Sequence, residues 1–115
     1  MKVAINADYG GFSLSPAAMK LFIEMGYTEP HWDEAPDYGG HKSRKAAIKA
    51  AIAYGFVCCE RNDKRLIHTI EALGTKKASG KCANIKIVEI PDDVKFTVEE
   101  YDGSEWVAEV HHTWR

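Results

Sequence analysis

The chain has no surplus of charge of either sign. Fifteen Lys and Arg stand against seventeen Asp and Glu, a formal net charge of -2 with an isoelectric point near 6.2. Nothing in that balance asks for a nucleic-acid partner. No apolar run approaches the roughly 20 residues that cross a bilayer. The opening residues MKVAINADYG lack the apolar core and cleavage site of a signal peptide. The expectation is a cytoplasmic protein with no membrane partner. Cysteine is also scarce. Cys58, Cys59 and Cys82 are odd in number and include an adjacent pair, a poor disulfide framework, so free thiols are expected. The potential metal ligands His31, Asp33, His41, His68, His111, His112 and the cysteines include no His-x-x-x-His or Cys-x-x-Cys spacing, and no metal or other cofactor is expected. There is no Gly-x-Ser-x-Gly either. Ser13 and Ser15 are better explained by a turn and a helix cap, and the pairs Asp92/Asp93 and Glu99/Glu100 by solvated turn and strand positions. With no matched catalytic pair in view, the composition favours a binding protein over an enzyme.

What is present reads as one domain, residues 1–115, with no linker-like division. KVAINA alternates and predicts a half-buried N-terminal strand. Ser15 followed by Pro16 predicts a helix start, because the hydroxyl accepts from a first-turn N–H and proline loses nothing at the first helical position. Ala17, Met19, Leu21, Phe22 and Met25 then form its apolar stripe, and Gly26 ends it. Residues 27–42 have no period and carry two prolines, two glycines and three aromatics. A long loop is expected there, of the kind that is often functional or mobile. Ser43 predicts the cap of an alanine-rich second helix to residue 54, with Ile48 and Ile52 facing the core. Asn62 or Asp63 caps a third helix to residue 73, stopped by Gly74. Residues 75–81 read as a polar loop.

The C-terminal part reads as β structure. ANIKIVEI has apolar residues on both faces and predicts a central strand. VKFTVEEY and SEWVAEVHHTW predict a hairpin around Asp102-Gly103. A two-residue turn there would put Phe96 opposite Glu109 and Glu100 opposite Glu105. A three-residue loop would put Val98 opposite Trp106 and Phe96 opposite Ala108, and it is the expected register, since a slip of one residue exchanges a strand's faces. The expected fold class is therefore α+β: an antiparallel β meander plus the N-terminal strand, with about three helices packed on one face.

Three segments hold candidate binding residues. In the first, Tyr9, Gly10, Gly11, Phe12 and Ser13 lie between a strand and a helix N-terminus, the general arrangement that receives anions. The glycines either form a turn covered by packed rings or let a ligand reach the backbone between stacking aromatics. The second is the cationic cluster of His41, Lys42, Arg44 and Lys45 at the start of the second helix, where positive charge is locally unfavourable and an anion would compensate it. The third is the C-terminal EVHHTWR. If Trp106 and Val110 face the core, His112 and Trp114 share that face. Either Trp114 closes the core, or a histidine and Arg115 reach an anionic ligand. The tetrapeptide DYGG occurs at residues 8–11 and again at 37–40, with flanks that do not match.

YGGFSLSP after an N-terminal strand, RNDKRLIHTIEALG, IKIVEIPDDV and EEYDGSEWVAEVHHTW together resemble a group of small, uncharacterised proteins of tailed phages and prophages. The resemblance covers both ends and the third helix, and the segment from about 27 to 57 is variable. The chain departs from the group at Lys64, where a proline is common, and at His112, where an arginine is. The resemblance implies a context rather than an activity: small accessory proteins that counteract a host defence system in the cytoplasm of the infected bacterium. On it rest three readings. The first is sequestration of a nucleotide-like signalling molecule in a pocket where the three segments converge, within one copy or across a homo-oligomer. The second is inhibition of a host defence protein through the acidic C-terminal strands and the aromatic loop. The third, ranked last, is nucleotide cleavage with His111 or His112 as acid or base.

Overall fold

The computed structural model describes residues 1–34 and 38–110. In chain order they form β1 (Lys2–Asn6), α1 (Pro16–Glu24), a 3-10 turn (Pro30–Asp33), α2 (Arg44–Tyr54), α3 (Lys64–Leu73), α4 (Thr75–Ala78), β2 (Ile85–Glu89), β3 (Phe96–Tyr101) and β4 (Ser104–Glu109). The fold class is α+β, as the sequence predicts. The helix starts are also where the side chains place them. Ser15 Oγ accepts from Ala18 N–H, Ser43 from Ala46 N–H, and Asp63 from both Arg65 and Leu66 N–H. The residues 75–78, expected as loop, wind into the single turn α4, whose Ala78 is buried.

The helices gather around α1, which packs on α2, α3 and α4, while α3 packs on β1 and α4 on β2. Met19, Phe22, Leu66, Ile70 and Ile85 lie at the centre of this core. The segment 27–42 contributes to the core as well. Tyr27 stacks on Phe22 with ring centroids 4.4 Å apart, and Trp32 meets Tyr27 edge-on at 5.8 Å. Tyr27 Oη also accepts from Cys58 N–H at 2.8 Å. A segment that reads as an aperiodic loop is thus fastened by its aromatics, which bury large areas whatever the backbone conformation.

The sheet differs from the expected meander. β1 pairs with β2 and β3 with β4, in two separate antiparallel ladders. The two strands of the first ladder also exchange roles. β1, expected to be half-buried, hides Val3, Ala4 and Ile5 alike, and β2, expected to be central, is the half-exposed member. The outer edge of β1 is closed without a strand: Ala4 N–H donates to Arg61 O at 2.8 Å, and Asn6 N–H to Glu105 Oε1 at 2.7 Å. β3 and β4 carry glutamates on both faces, so they fit no inner position of a sheet packed under helices. They form instead a ribbon joined to β1 at its turn end. The radius of gyration, 15.4 Å, accordingly exceeds the roughly 13 Å of a compact domain of this length.

The hairpin register is corrected too. Phe96 pairs with Glu109, Val98 with Val107 and Glu100 with Glu105, the register of the two-residue turn. Asp102 and Gly103 both take positive φ, 51° and 87°, as a type I′ turn requires. The argument from buried faces fails because the ribbon has no fully buried face to protect. Glu105 turns inward in this register, and Trp106 lies on the outer face and is 48% exposed, so the condition that it faces the core is not met.

Candidate functional site

The glycine loop is where a strand, a turn and a helix meet, and the protein fills it with its own backbone. Gly10 N–H donates to Asp102 O at 3.3 Å. A Cβ on Gly103 would lie 2.4 Å from Gly11 N and 2.8 Å from Gly10 N, and a Cβ on Gly10 would lie 2.6 Å from Cys82 O. Gly103 thus permits the two turns to touch backbone to backbone, Gly10 permits the close approach of Cys82 O, and Gly11 supplies a positive φ of 87°. The N-terminus of α1 is similarly occupied: Ser15 Oγ takes Ala18 N–H, Leu14 N–H goes to Gly55 O, and Ser15 N–H to Ala78 O.

Asn6 organises this junction. It is wholly buried. Its Nδ2 donates to Asp8 O at 2.6 Å and to Gly103 O at 2.7 Å, and its Oδ1 accepts from Asn84 N–H at 2.8 Å. Glu105 accepts from Asn6 N–H and, at 2.6 Å, from Arg61 Nη1. The Arg61 guanidinium in turn lies over the Phe12 ring, 3.9 Å from its centroid. Asn6, Arg61, Glu105 and Phe12 therefore form one chain of contacts that sets the ribbon against β1.

Beside that chain lies a cleft of about 1040 Å3, between residues 59–62 on one side and the inner face of the ribbon on the other. Arg61, Asn62 and Lys95 line it together with the carboxylates Glu60, Glu100 and Glu105, and Phe96, Val98 and Val110 supply apolar surface; Thr97 borders it too, but its hydroxyl donates to Glu99 on the outer face of the ribbon. Among the described residues Lys95 has no ion pair. Cys59 lines the same cleft. Burial, with the Asp63 carboxylate adding to it, pushes its thiol up to about 11, so it stays protonated at neutral pH.

The sequence-derived candidates separate into three places. Phe12 and Ser13 are buried in the junction, Gly10 and Gly11 carry the backbone contact, and Tyr9 remains exposed beside them. His41, Lys42 and Arg44 lead into α2 next to the 3-10 turn, where Arg44 Nε pairs with Asp33 at 2.8 Å, so part of the expected uncompensated charge is compensated internally. None of these residues lines the ribbon cleft. His112, Trp114 and Arg115 lie outside the described residues, as does His111. They follow Val110, which does line the cleft. Sequence reading gives no site role to Asn6 or Lys95, reads Asn62 as a possible helix cap, pairs Arg61 with Glu60 or Asp63 where the structure pairs it with Glu105, and places Glu105 on an acidic surface where the structure turns it inward. Asn6 had one signal, an amide at the end of an apolar strand, since a buried amide must find partners.

Comparison with family models, with curated proteins and with solved structures finds no match for the chain. Among the described residues no helix is long and apolar enough to cross a membrane, and no group of His, Cys, Asp and Glu is arranged to hold a metal ion.

Proposed function

We propose that the chain is a non-enzymatic binding protein that sequesters a nucleotide-like anion in the ribbon cleft, and that it thereby blunts a host defence signal in the cytoplasm of a phage-infected bacterium. The observation that carries this reading is the lining of the cleft. Lys95, which has no ion pair among the described residues, shares one concavity with Asn62, the carboxylates Glu60 and Glu100, the Arg61–Glu105 pair and apolar surface, so that a phosphorylated group would go to Lys95 and the hydroxyl and amino groups of a sugar and base to the carboxylates and Asn62. The phage context comes from the sequence resemblance alone. The glycine loop, the first place to look by sequence, contributes as the anchor of the ribbon rather than as the cradle.

The test is thermal unfolding against cyclic dinucleotides, cyclic trinucleotides and ADP-ribose derivatives. A ligand at 100 times its dissociation constant adds about 2.7 kcal/mol, a shift on the order of 10 °C for a small domain. The shift should shrink in Lys95→Ala, whose side chain is exposed and has no structural partner among the described residues. Ligand recovered intact supports sequestration, product formed supports an enzyme, and no shift across the panel refutes the cleft as a nucleotide site.

A second reading has an observation of its own. Tyr101 and Trp106 share the outer face of the ribbon with Glu99, and they are 69% and 48% exposed. Exposed aromatics amid carboxylates suit a basic protein surface, and in that reading the chain inhibits a host protein. Trp106→Ala then abolishes partner capture and leaves any nucleotide shift unchanged.

A further inference from the structure

A different surface has a charge and shape of its own. On α2 the residues Lys45, Ile48, Lys49, Ile52 and Ala53 follow helical spacing i, i+3, i+4, i+7, i+8, which places them in one stripe. That stripe and Lys20 of α1 border a groove of about 470 Å3. Ile48 and Ile52 pack against the core as expected from sequence, but each is only half-buried, and their remaining surface forms the groove floor, while the deeply buried residue of α2 is Ala47. Three lysines, Lys20, Lys45 and Lys49, stand around that apolar floor. None has an ion pair among the described residues, although five other pairs form there. No carboxylate lines the groove.

We propose that this groove docks an acidic amphipathic helix of a partner protein, with apolar residues one turn apart seated on Ile48 and Ile52 and carboxylates reaching the three lysines. Charge complementarity selects the acidic partner: an apolar segment flanked by basic residues would bring like charges together at every lysine. The chemistry of the lining selects a protein segment over a small anion. Beyond the ammonium groups the groove offers aliphatic carbon, and the adjacent helix start contributes Pro16, which has no N–H to give. An amphipathic helix laid on an apolar floor is a common mode of peptide recognition, read through anchors at i, i+4 and i+7. The inference does not depend on the ribbon cleft, since the two surfaces share no lining residue.

The experiment uses the full chain and a labelled synthetic helix carrying leucines at i, i+4 and i+7 flanked by glutamates, followed by fluorescence anisotropy at low and high salt. Two further probes serve as controls: a scrambled peptide of the same composition, and a version with lysine in place of each glutamate. The expected result is saturable binding of the acidic helix that weakens with salt and weakens about tenfold or more in a Lys45→Glu/Lys49→Glu variant. Both lysines are exposed, glutamate at position 45 in the first turn of α2 suits its helix dipole, and glutamate at position 49 is a good helix former, so lost binding in this variant is not lost folding. Circular dichroism of the variant checks that point. Equal binding of the scrambled or the basic probe overturns the proposal, as does binding indifferent to the double substitution. Sedimentation velocity of the protein alone supplies the remaining arm. Self-association that the double substitution abolishes assigns the groove to a second copy of the chain and overturns the acidic-partner assignment.

Discussion

Replacing Glu105 should separate the ribbon from the rest of the molecule more effectively than any other single truncation on β3 or β4. The Glu105 side chain is 7% exposed and that of Arg61 is 23% exposed, so the pair is largely withdrawn from water. One carboxylate oxygen accepts two hydrogen bonds, from Arg61 Nη1 at 2.6 Å and from Asn6 N–H at 2.7 Å. Glu105→Ala therefore leaves a backbone N–H of a wholly buried residue without its acceptor, at about 1–3 kcal/mol. It also leaves a partly buried guanidinium without its counter-charge. Breaking a fully buried pair costs about 3–5 kcal/mol, but Arg61 keeps its contact with Phe12 and enough exposure to take up water. The combined loss is then on the order of 3 kcal/mol. Glu105→Gln keeps an oxygen acceptor and loses only the charge, for roughly half that loss. Urea unfolding followed by far-ultraviolet circular dichroism measures both, and the thermal midpoint of Glu105→Ala should fall by more than about 10 °C. A Glu105→Ala variant within about 0.5 kcal/mol of the parent, the range of an ordinary surface substitution, would refute the reasoning, because it would mean that the ion pair is solvated and the ribbon is held by other contacts.

Three further perturbations test other joints of the fold. Gly55 ends α2 at φ 75°, and a Cβ there would sit 2.0 Å from Leu14 O, so Gly55→Ala should destabilise by more than about 2 kcal/mol in the same urea assay; a smaller loss would mean that the loop before α1 gives way easily. At Asp63, burial acts to raise the carboxyl, but the N–H bonds from Arg65 and Leu66 and the Arg65 guanidinium outweigh it and hold it below its ordinary 3.8. A lowered folded value contributes stability above the unfolded value and loses it as pH falls through the folded one. The parent should therefore lose stability relative to Asp63→Asn, which still caps the helix, only on the acid side of 3.8, and parallel acid limbs would refute this. Alkylation at pH 8 followed by peptide mapping should label exposed Cys82 first and Cys59 last, since burial pushes the Cys59 thiol up to about 11, and urea should erase the difference; Cys59 labelled as fast as Cys82 in the folded protein contradicts its protected position.

The local signals and the long-range ones fared differently. Ser15-Pro16, Ser43 and Asp63 mark their helices correctly, because a cap is an interaction between a side chain and backbone two or three residues away, written entirely in neighbouring letters. The dipeptide Asp102-Gly103 marks its turn for the same reason. The register did not follow from the faces of the strands, because what orients them is Arg61 and Asn6, far away in the chain. The aromatics of residues 27–34 gave no periodic signal, yet Tyr27 and Trp32 are core residues, since a ring can fill a gap from any backbone conformation. The double glycine is legible in the sequence as a turn or a ligand-receiving loop, but its partner, a second glycine turn near the other end of the chain, is visible only once both are in place.

By itself the amino-acid sequence determined the class of the fold, the starts of α1, α2 and α3, the place of the hairpin turn though not its length, and the absence of any strong metal or catalytic spacing. All of these are set within a few residues or by composition. Only the tertiary structure decided that β1 takes a carbonyl and a carboxylate on its outer edge instead of a strand, that the glycine loop is filled by a hairpin turn, and that Arg61, Asn62 and Lys95 meet Glu60, Glu100 and Glu105 around one cleft. Those outcomes depend on which distant groups can satisfy a buried N–H or a buried charge at the same time. That competition is settled by the whole packed core and not by any stretch of neighbouring residues.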